Sequence, residues 1–376
     1  MVQIATVAES IPGALKLCYG ESNSPTPPFI CDAATEAMRA GHTFYTHTAG
    51  CWELREAIAV KVAELHQVRY EPSEIISTVG ATAAIFIAIR ALVGPGDNAI
   101  VITPAYAIFT NAVTMAGGEP RAVPLEPIGT RLTIDIDRVR RAIDGHTRML
   151  IINSPSNPTG WVIHEDEQRA LGELAERHDL VILADEVYER LMYDRPLAPS
   201  FARVIPNRDR LIVVNSFSKA YNMTGWRLGW AQASEPMVRV MYKAAEFITS
   251  NPAAMVQQAG IVALRDGEPY LRDLRAHYAE RRAQVRAALA AIDGMSLVEP
   301  EGAFYAFFRI DGATDDSTAF TSQLVQDTGV ALTPGVAFGD AGEGYVRLCF
   351  AAQEATVAEA LARVRAFVDS MAKRPG

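Results

Sequence analysis

The chain has 376 residues, of which 49% are apolar and 21% are charged, and this composition is typical of a folded globular protein rather than a disordered one. Such a length is sufficient for two domains around a sizeable core. The formal net charge of −9 argues against a protein that binds the nucleic-acid backbone, because that function needs a basic surface. A small anionic ligand is compatible with this charge, since a few local arginines decide its binding.

The cysteines do not indicate a metal site, and the N-terminal segment does not indicate export. Cys18, Cys31, Cys51 and Cys349 include no close pair of the kind that holds zinc, so we expect free, mostly buried thiols in a reducing cytoplasm. Residues 1–19 lack a basic start followed by a long apolar run, which argues against an export signal. No apolar stretch of about 18 residues occurs, so we expect no membrane span.

The first predicted strand with chemistry at its end covers residues 75–79. Gly80, Ala81 and Thr82 follow it and begin an alanine- and isoleucine-rich helix that we expect to run to about residue 93. Amides at a helix N terminus point outward and favour an anion there, while Gly80 lets the backbone approach a ligand closely. The segment is therefore a candidate phosphate site, with an ordinary threonine cap as the alternative.

Two further predicted strands each lead to a side chain that suits a flat ring. Residues 98–103 precede Tyr106, whose ring can stack on a ligand ring or pack in the core. Residues 149–152 precede a turn with two prolines and Gly160, which holds Asn157 rigidly. The Asn157 amide can donate to a phenolic oxygen, although Asn-Pro-Thr-Gly is also common turn chemistry.

The predicted strand at residues 180–184 ends at Asp185, and Tyr188 follows three positions later. A carboxylate within a few ångströms keeps a pyridine nitrogen protonated, and a protonated ring is an electron sink. A helix N-cap is an equally good interpretation of Asp185 from this segment alone. Tyr188 can offer its phenol to a ring oxygen, or it can be a packing aromatic.

The most informative segment follows the predicted strand at residues 211–215, where Ser216, Ser218 and Lys219 precede Arg227. A lysine in an apolar wall has a lowered pKa and attacks carbonyl groups as a free amine. Hydroxyl groups and a guanidinium fork are what a phosphate group needs nearby. A lone lysine after a strand is usually a solvated loop charge. An amine beside a phosphate site, together with the upstream residues, indicates pyridoxal phosphate.

In this order the motifs resemble those of the class I/II aminotransferases of fold type I, the aspartate aminotransferase-like family of pyridoxal-phosphate enzymes. The similarity runs from about Gly20 to the C terminus. Its most specific matches are residues 157–160, 185–188 and 218–227. The resemblance implies an α/β fold with a large, mostly parallel sheet flanked by helices and a smaller α+β domain.

The resemblance also implies a role for each residue at the cofactor. Lys219 would form the Schiff base and move a proton between the substrate Cα and the cofactor C4′. Asp185 would hold the pyridinium, Asn157 and Tyr188 would contact the ring oxygen, and Tyr106 would stack on the ring. The phosphate would be surrounded by Gly80, Ala81, Thr82, Ser216, Ser218, Arg227 and the partner's Tyr45, in a homodimer with shared active sites.

For the substrate, the resemblance implies that Arg347 holds the α-carboxylate, with Asn157 and Gly20 as further contacts. Residues 20–28 depart from the family's Gly-Glu-Pro-Asp-Phe-like stretch, which leaves the choice of substrate open. No second arginine for a side-chain carboxylate can be assigned. Arg281 and Arg282 lie in a helical pattern and are expected on a solvated face.

Strand and helix patterns alternate from residue 75 to 230, which predicts a largely parallel sheet with helices on both faces. Long helices are expected at residues 236–248 and 268–291, and further strands at residues 295–298, 303–308, 330–333 and 345–350. We therefore predict a large cofactor-binding domain at residues 46–275 and a small domain formed by residues 1–45 and 276–376.

The function that follows is a transaminase that moves an amino group between an L-amino acid and a 2-oxo acid by a ping-pong mechanism. Carbon–sulfur β-lyases share this fold, so a pyridoxal-phosphate-dependent β-lyase is the alternative. An inactive sensing domain of a transcription factor fits poorly, because only about twenty residues precede the match. Amino acids, 2-oxo acids and a second copy of the chain are the expected partners, without nucleic acid or membrane.

Overall fold

The structure, a computed structural model, describes residues 2–371. Its helices are α1 (Val2–Glu9), α2 (Pro28–Arg39), α3 (Trp52–His66), α4 (Ala81–Leu92), α5 (Ile108–Met115), α6 (Ile136–Ala142), α7 (Glu165–Arg177), α8 (Phe201–Val204), α9 (Phe217–Ala220), α10 (Glu235–Ile248), α11 (Ala254–Asp266), α12 (Glu268–Ala290), α13 (Ser317–Thr328) and α14 (Glu354–Met371). Its strands are β1 (Leu15–Lys16), β2 (Ile75–Thr78), β3 (Asn98–Thr103), β4 (Glu119–Pro124), β5 (Glu126–Ile128), β6 (Arg131–Thr133), β7 (Thr147–Asn153), β8 (Val181–Asp185), β9 (Leu211–Ser216), β10 (Gly229–Gln232), β11 (Met295–Val298), β12 (Tyr305–Ile310), β13 (Val330–Ala331), β14 (Thr333–Pro334) and β15 (Val346–Cys349).

A seven-stranded sheet in the order β2-β10-β9-β8-β7-β3-β4 forms the centre of the molecule. Its strands are parallel except β10, which runs antiparallel to both neighbours. Successive residues of β8 pack into different cores, Ile182 into one and Leu183 into the other, so both faces of the sheet are covered. Near-continuous apolar strands are expected under these conditions. The predicted α/β class with a mostly parallel sheet is confirmed.

A second sheet, with the antiparallel order β11-β12-β15-β14, packs with α12 and α14 around a separate apolar core. The short strand β1 pairs in parallel with β13, which brings the start of the chain against its last third. The division into domains at residues 46–275, 1–45 and 276–376 stays a prediction.

Two sequence-based expectations need correction. Helix α11 was absent from the predicted elements, because its small residues and glutamines give no clear apolar stripe. The expectation that Arg281 and Arg282 lie on a solvated face is wrong. Arg281 is 2% exposed and contacts Glu354 of α14 at 3.3 Å, while Arg282 contacts Glu299 at 2.6 Å. Helix α14 and the segment around Glu299 cover this part of α12, so Arg281 is buried and Arg282 is partly buried, each in an ion pair.

The cysteines are free, with Cys18 and Cys349 buried and Cys31 and Cys51 partly buried. Among residues 2–371, no helix combines the length and the apolar character that a membrane crossing requires.

Candidate active site

A cavity of about 320 Å³ lies beyond the carboxyl ends of β7, β8 and β9, next to the N terminus of α4. The carboxyl edge of a parallel sheet is where open α/β folds place their ligands. The cavity is lined by Tyr19, Gly20, Ala81, Thr82, Ile85, Tyr106, Asn153, Asn157, Asp185, Val187, Tyr188, Ser216, Ser218, Lys219, Thr224, Arg227, Tyr305 and Arg347.

The structure brings all but two of the sequence-predicted site residues into this cavity. Gly80 does not line the cavity. It is the N-cap residue of α4, and its Cα atom lies against the Arg227 guanidinium group. Tyr45 lies elsewhere on the surface, is 91% exposed and borders a depression formed with residues 249–255. Within one subunit it is therefore not part of the cavity.

Lys219 lies in the short helix α9, which begins directly after β9. Ser216 caps this helix, because its hydroxyl oxygen accepts a hydrogen bond from the Ser218 amide at 3.0 Å. The Lys219 Nζ atom donates to the Gly20 carbonyl oxygen at 2.5 Å. The lysine pKa is lowered from 10.5 to about 8, mainly because an ammonium group loses hydration on burial. Cys349 and Glu21 oppose this shift, while Arg347 and Arg227 contribute to it. A neutral amine is therefore accessible near physiological pH.

Asp185 is the last residue of β8 and is 5% exposed. Its carboxylate accepts a hydrogen bond from the Val187 amide at 3.2 Å. Burial raises its pKa from 3.8 to about 7, although the Val187 amide and the Lys219 charge oppose that shift. A buried carboxylate with so few partners is stabilised by a cation, and a protonated pyridine nitrogen satisfies this requirement. Asp185 therefore suits a position next to the ring nitrogen of pyridoxal phosphate.

The part of the cavity at the start of α4 suits a phosphate group. Gly80 has φ +79°, and a Cβ atom at this position would lie 2.3 Å from the Arg227 Nη2 atom, so only glycine lets the arginine approach the start of α4. Arg227 itself has φ +54°, and its Nη1 atom donates to the Thr224 carbonyl oxygen at 2.8 Å. The free amides of α4, the Thr82 and Ser218 hydroxyl groups and this guanidinium group are suitable phosphate ligands.

Arg347 of β15 is 1% exposed and also lines the cavity. Its Nη1 atom donates to the Asn157 Oδ1 atom at 2.7 Å, and its Nη2 atom donates to the Cys18 carbonyl oxygen and the Thr333 hydroxyl group. Within residues 2–371, its Nε atom has no hydrogen-bond partner, and no carboxylate forms an ion pair with it. A buried guanidinium group without an anion can bind a carboxylate.

Sequence reasoning missed several cavity residues. Asn153 ends β7 and connects two predicted residues, because its Nδ2 atom donates to the Asp185 carbonyl oxygen at 3.0 Å and its Oδ1 atom accepts from the Asn157 amide at 2.8 Å. An asparagine at the end of a buried strand is the signal that could have identified it. Tyr305 begins β12 in an apolar run, so its sequence context indicates only a core position.

The family model for aminotransferase class I and II matches residues 12–364 of the chain. The chain belongs to this family. An aspartate aminotransferase of Pyrococcus abyssi is 36% identical, with 95% of this chain and 92% of that protein covered. Aromatic-amino-acid aminotransferase 2 of Thermococcus litoralis is 35% identical, with 95% and 92% covered. The structure of N-succinyldiaminopimelate aminotransferase from Mycobacterium tuberculosis has a TM-score of 0.93 and 34% identity, with 97% and 96% covered.

This membership settles the class of reaction. The chain is a pyridoxal-phosphate-dependent aminotransferase of fold type I, as predicted from the motifs. The predicted alternative, a carbon–sulfur β-lyase, is not favoured, because the related proteins are named as aminotransferases. The relatives differ in the amino acid for which they are named, so the family alone assigns no donor to this chain.

Proposed function

We propose that the chain transfers amino groups with Lys219 as the proton-moving amine, Asp185 as the partner of the cofactor ring and Arg347 as the site of the substrate α-carboxylate. The observation that carries this proposal is one cavity that contains a buried carboxylate, an amine with a pKa of about 8 and a guanidinium group without an ion pair. These are the three groups that amino-group transfer on a pyridine aldehyde requires: an anion for the ring nitrogen, a neutral amine as base and a cation for the substrate carboxylate.

We propose that the cofactor lies between Asp185 and the start of α4. When bound, pyridoxal phosphate supplies an aldehyde for the amine and a ring that takes up the electrons of the substrate Cα–H bond. Asn157 and Tyr188 would donate to its ring oxygen, and Tyr106, which is 38% exposed at the cavity, would stack on the ring. The phosphate would contact Gly80, Ala81, Thr82, Ser216, Ser218 and Arg227.

The remaining steps belong to side chains of this protein. Arg347 binds the α-carboxylate through its fork, which fixes the orientation of the substrate Cα–H bond. Lys219 Nζ would remove the proton from the substrate Cα and deliver it to the cofactor C4′. Its contact with the Gly20 carbonyl oxygen holds the amine within the cavity between these transfers.

The functional unit, in our proposal, is a cytoplasmic homodimer in which the partner's Tyr45 reaches the cofactor phosphate. Two large apolar side chains are unusually exposed: Phe44, next to Tyr45, at 82%, and Phe247, two positions before the depression that Tyr45 borders, at 88%. Exposed patches of this kind mark protein interfaces. We also propose that residues 46–275 bind the cofactor and that residues 1–45 and 276–376 form the small domain that closes the substrate site.

The decisive experiment replaces Lys219 by alanine. We expect kcat for any accepted amino donor to fall by about a thousandfold or more, because both proton transfers lose their base. Lys243→Ala, an exposed lysine on α10, is the matched control and should keep full activity. Retention of transamination by Lys219→Ala would refute the assignment.

The donor is to be identified by a screen. Aspartate, aromatic, aliphatic and N-acylated diamino acids, tested with 2-oxoglutarate and with pyruvate, cover the donors for which the relatives are named. Formation of an oxo acid without ammonia is the expected result. Ammonia release in proportion to donor consumption would support lyase chemistry instead.

A further inference from the structure

Tyr305 connects the two halves of the active site, although no motif points to it. It begins β12 in the second sheet and is fully buried. Its hydroxyl oxygen lies 2.7 Å from the hydroxyl oxygen of Tyr188, which follows β8 of the central sheet. The ring of Tyr305 also lies beneath the Arg347 guanidinium group, with the Arg347 Cζ atom 4.7 Å from the ring centroid.

The bound cofactor would determine which of Tyr188 and Tyr305 donates the hydrogen bond between them. Each phenol has one hydrogen to donate, and either oxygen can be the donor in the contact. Burial raises the pKa of both hydroxyl groups, so both keep their hydrogens at working pH. If Tyr188 donates its hydrogen to the cofactor ring oxygen, the hydrogen between the two tyrosines must come from Tyr305.

The backbone closes the other side of the Tyr305 hydroxyl group. A Cβ atom at Gly20 would lie 2.4 Å from the Tyr305 Oη atom, so the chain passes the hydroxyl group at contact distance. The Gly20 carbonyl oxygen is the same group that accepts from Lys219 Nζ. A side chain at position 20 would displace Tyr305, and the hydroxyl group therefore has little freedom to turn away from Tyr188.

We propose that Tyr305 is a positioning residue of the aminotransferase reaction, whose hydroxyl group donates to Tyr188 and so directs the Tyr188 hydrogen at the cofactor ring oxygen, while its ring holds the Arg347 guanidinium group in place. This inference rests on the proposed roles of Tyr188 and Arg347. It assigns two separable functions to one side chain, one to the hydroxyl group and one to the ring.

The test measures the pH midpoint of the visible absorption band of the holoenzyme in four proteins: wild type, Tyr188→Phe, Tyr305→Phe and the double variant. Donation by Tyr188 stabilises negative charge on the ring oxygen, so its loss or misdirection should raise the midpoint. For Tyr305→Phe we expect a rise of about 0.5 to 1 unit, the size that one hydrogen bond supports. The double variant should show no further rise beyond Tyr188→Phe, because both changes remove the same interaction.

Tyr193→Phe is the matched control. The Tyr193 hydroxyl group is partly buried and donates to the Ala303 carbonyl oxygen close to β12, but Tyr193 does not line the cavity. Its removal should leave the midpoint unchanged. Thermal unfolding of the three single phenylalanine variants and the double variant verifies that each protein is folded.

The ring function is tested by the Michaelis constant of the amino donor. Tyr305→Phe keeps the ring beneath Arg347, so KM should change by less than about twofold, whereas Tyr305→Leu should raise KM by about fivefold or more. A midpoint that moves in Tyr188→Phe but not in Tyr305→Phe overturns the inference and leaves the proposed role of Tyr188 intact. A midpoint that moves in neither protein overturns both.

Discussion

Asp185 shows how burial prepares a residue for a charged ligand. Its pKa in the protein without cofactor is raised to about 7, mainly because the ionised form loses hydration. A raised carboxyl pKa means that the folded protein retains a proton that the unfolded chain releases above pH 3.8. The corresponding stabilisation is therefore complete at low pH and is lost as the pH rises through about 7.

Asp185→Asn should remove this pH dependence. We expect the variant without cofactor to gain stability relative to the wild type between pH 5 and pH 8, by on the order of 2 kcal/mol, because the buried charge is absent. Urea unfolding of both proteins at the two pH values gives the difference. The pKa of Glu186 is also raised to about 7, but Glu186 is present in both proteins and cancels. A difference in stability that does not depend on pH would contradict the explanation.

Replacement by lysine should weaken substrate binding at Arg347 and cofactor binding at Arg227. Lysine keeps the charge but loses the fork, so Arg347→Lys should raise KM for the amino donor by about 10- to 100-fold with cofactor affinity within about twofold. Arg227→Lys should weaken cofactor binding by a similar factor with a smaller effect on KM. Steady-state kinetics and fluorescence titration of the cofactor measure the two effects. Equal losses of both quantities in Arg347→Lys would be inconsistent with separate roles.

Sequence alone identified the residues whose chemistry is unusual for their position. Lys219, Asp185 and Asn157 each follow an apolar strand, and strand ends meet at one edge of a parallel sheet. Tyr305 gave no such signal, because a tyrosine within an apolar strand is normally a core residue. Its proximity to Tyr188 depends on how the second sheet packs against the first, which local pattern does not encode.

At the scale of elements, the start of α4 combines a strand end, a glycine and a helix N terminus. The sequence predicted this arrangement because each part has a local signal. The helix begins at Ala81, so Gly80 is its N-cap and Thr82 lies in its first turn. The pairing of β10 between β2 and β9 had no local signal, since antiparallel insertion into a parallel sheet depends on contacts distant in sequence.

Gly80→Ala should weaken cofactor binding by about tenfold or more, because its Cβ atom would displace the Arg227 guanidinium group. Gly41→Ala is the matched control, since Gly41 also has a positive φ, +85°, but has open space where the Cβ atom would be. Both variants should lose roughly 1 kcal/mol of stability from backbone strain. Cofactor titration and thermal unfolding separate the two effects. A similar loss of cofactor affinity in both variants would remove the role assigned to Gly80.

At the scale of the whole molecule, the exposed patch of Phe44, Tyr45 and Phe247 should be buried between two copies of the chain. We expect a particle of about twice the 40.8 kDa of one chain in analytical ultracentrifugation. Phe247→Asp should shift it toward the monomer and weaken cofactor binding, because the partner's Tyr45 is then lost. Ile128→Asp, at a residue 67% exposed on β5, is the control and should stay dimeric. A monomeric wild-type enzyme with full activity would exclude the shared site.

The contact between Arg347 and the Cys18 carbonyl oxygen joins positions 329 residues apart, and β1 pairs with β13. During translation the segment around Cys18 leaves the ribosome long before its partners are made. Asp185, Lys219 and Arg227 derive from the middle of the chain, so this part of the cavity can assemble earlier. In the proposed assignment, the site for the amino donor is therefore completed only after β15 has been made, later than the part proposed to hold the vitamin-derived group.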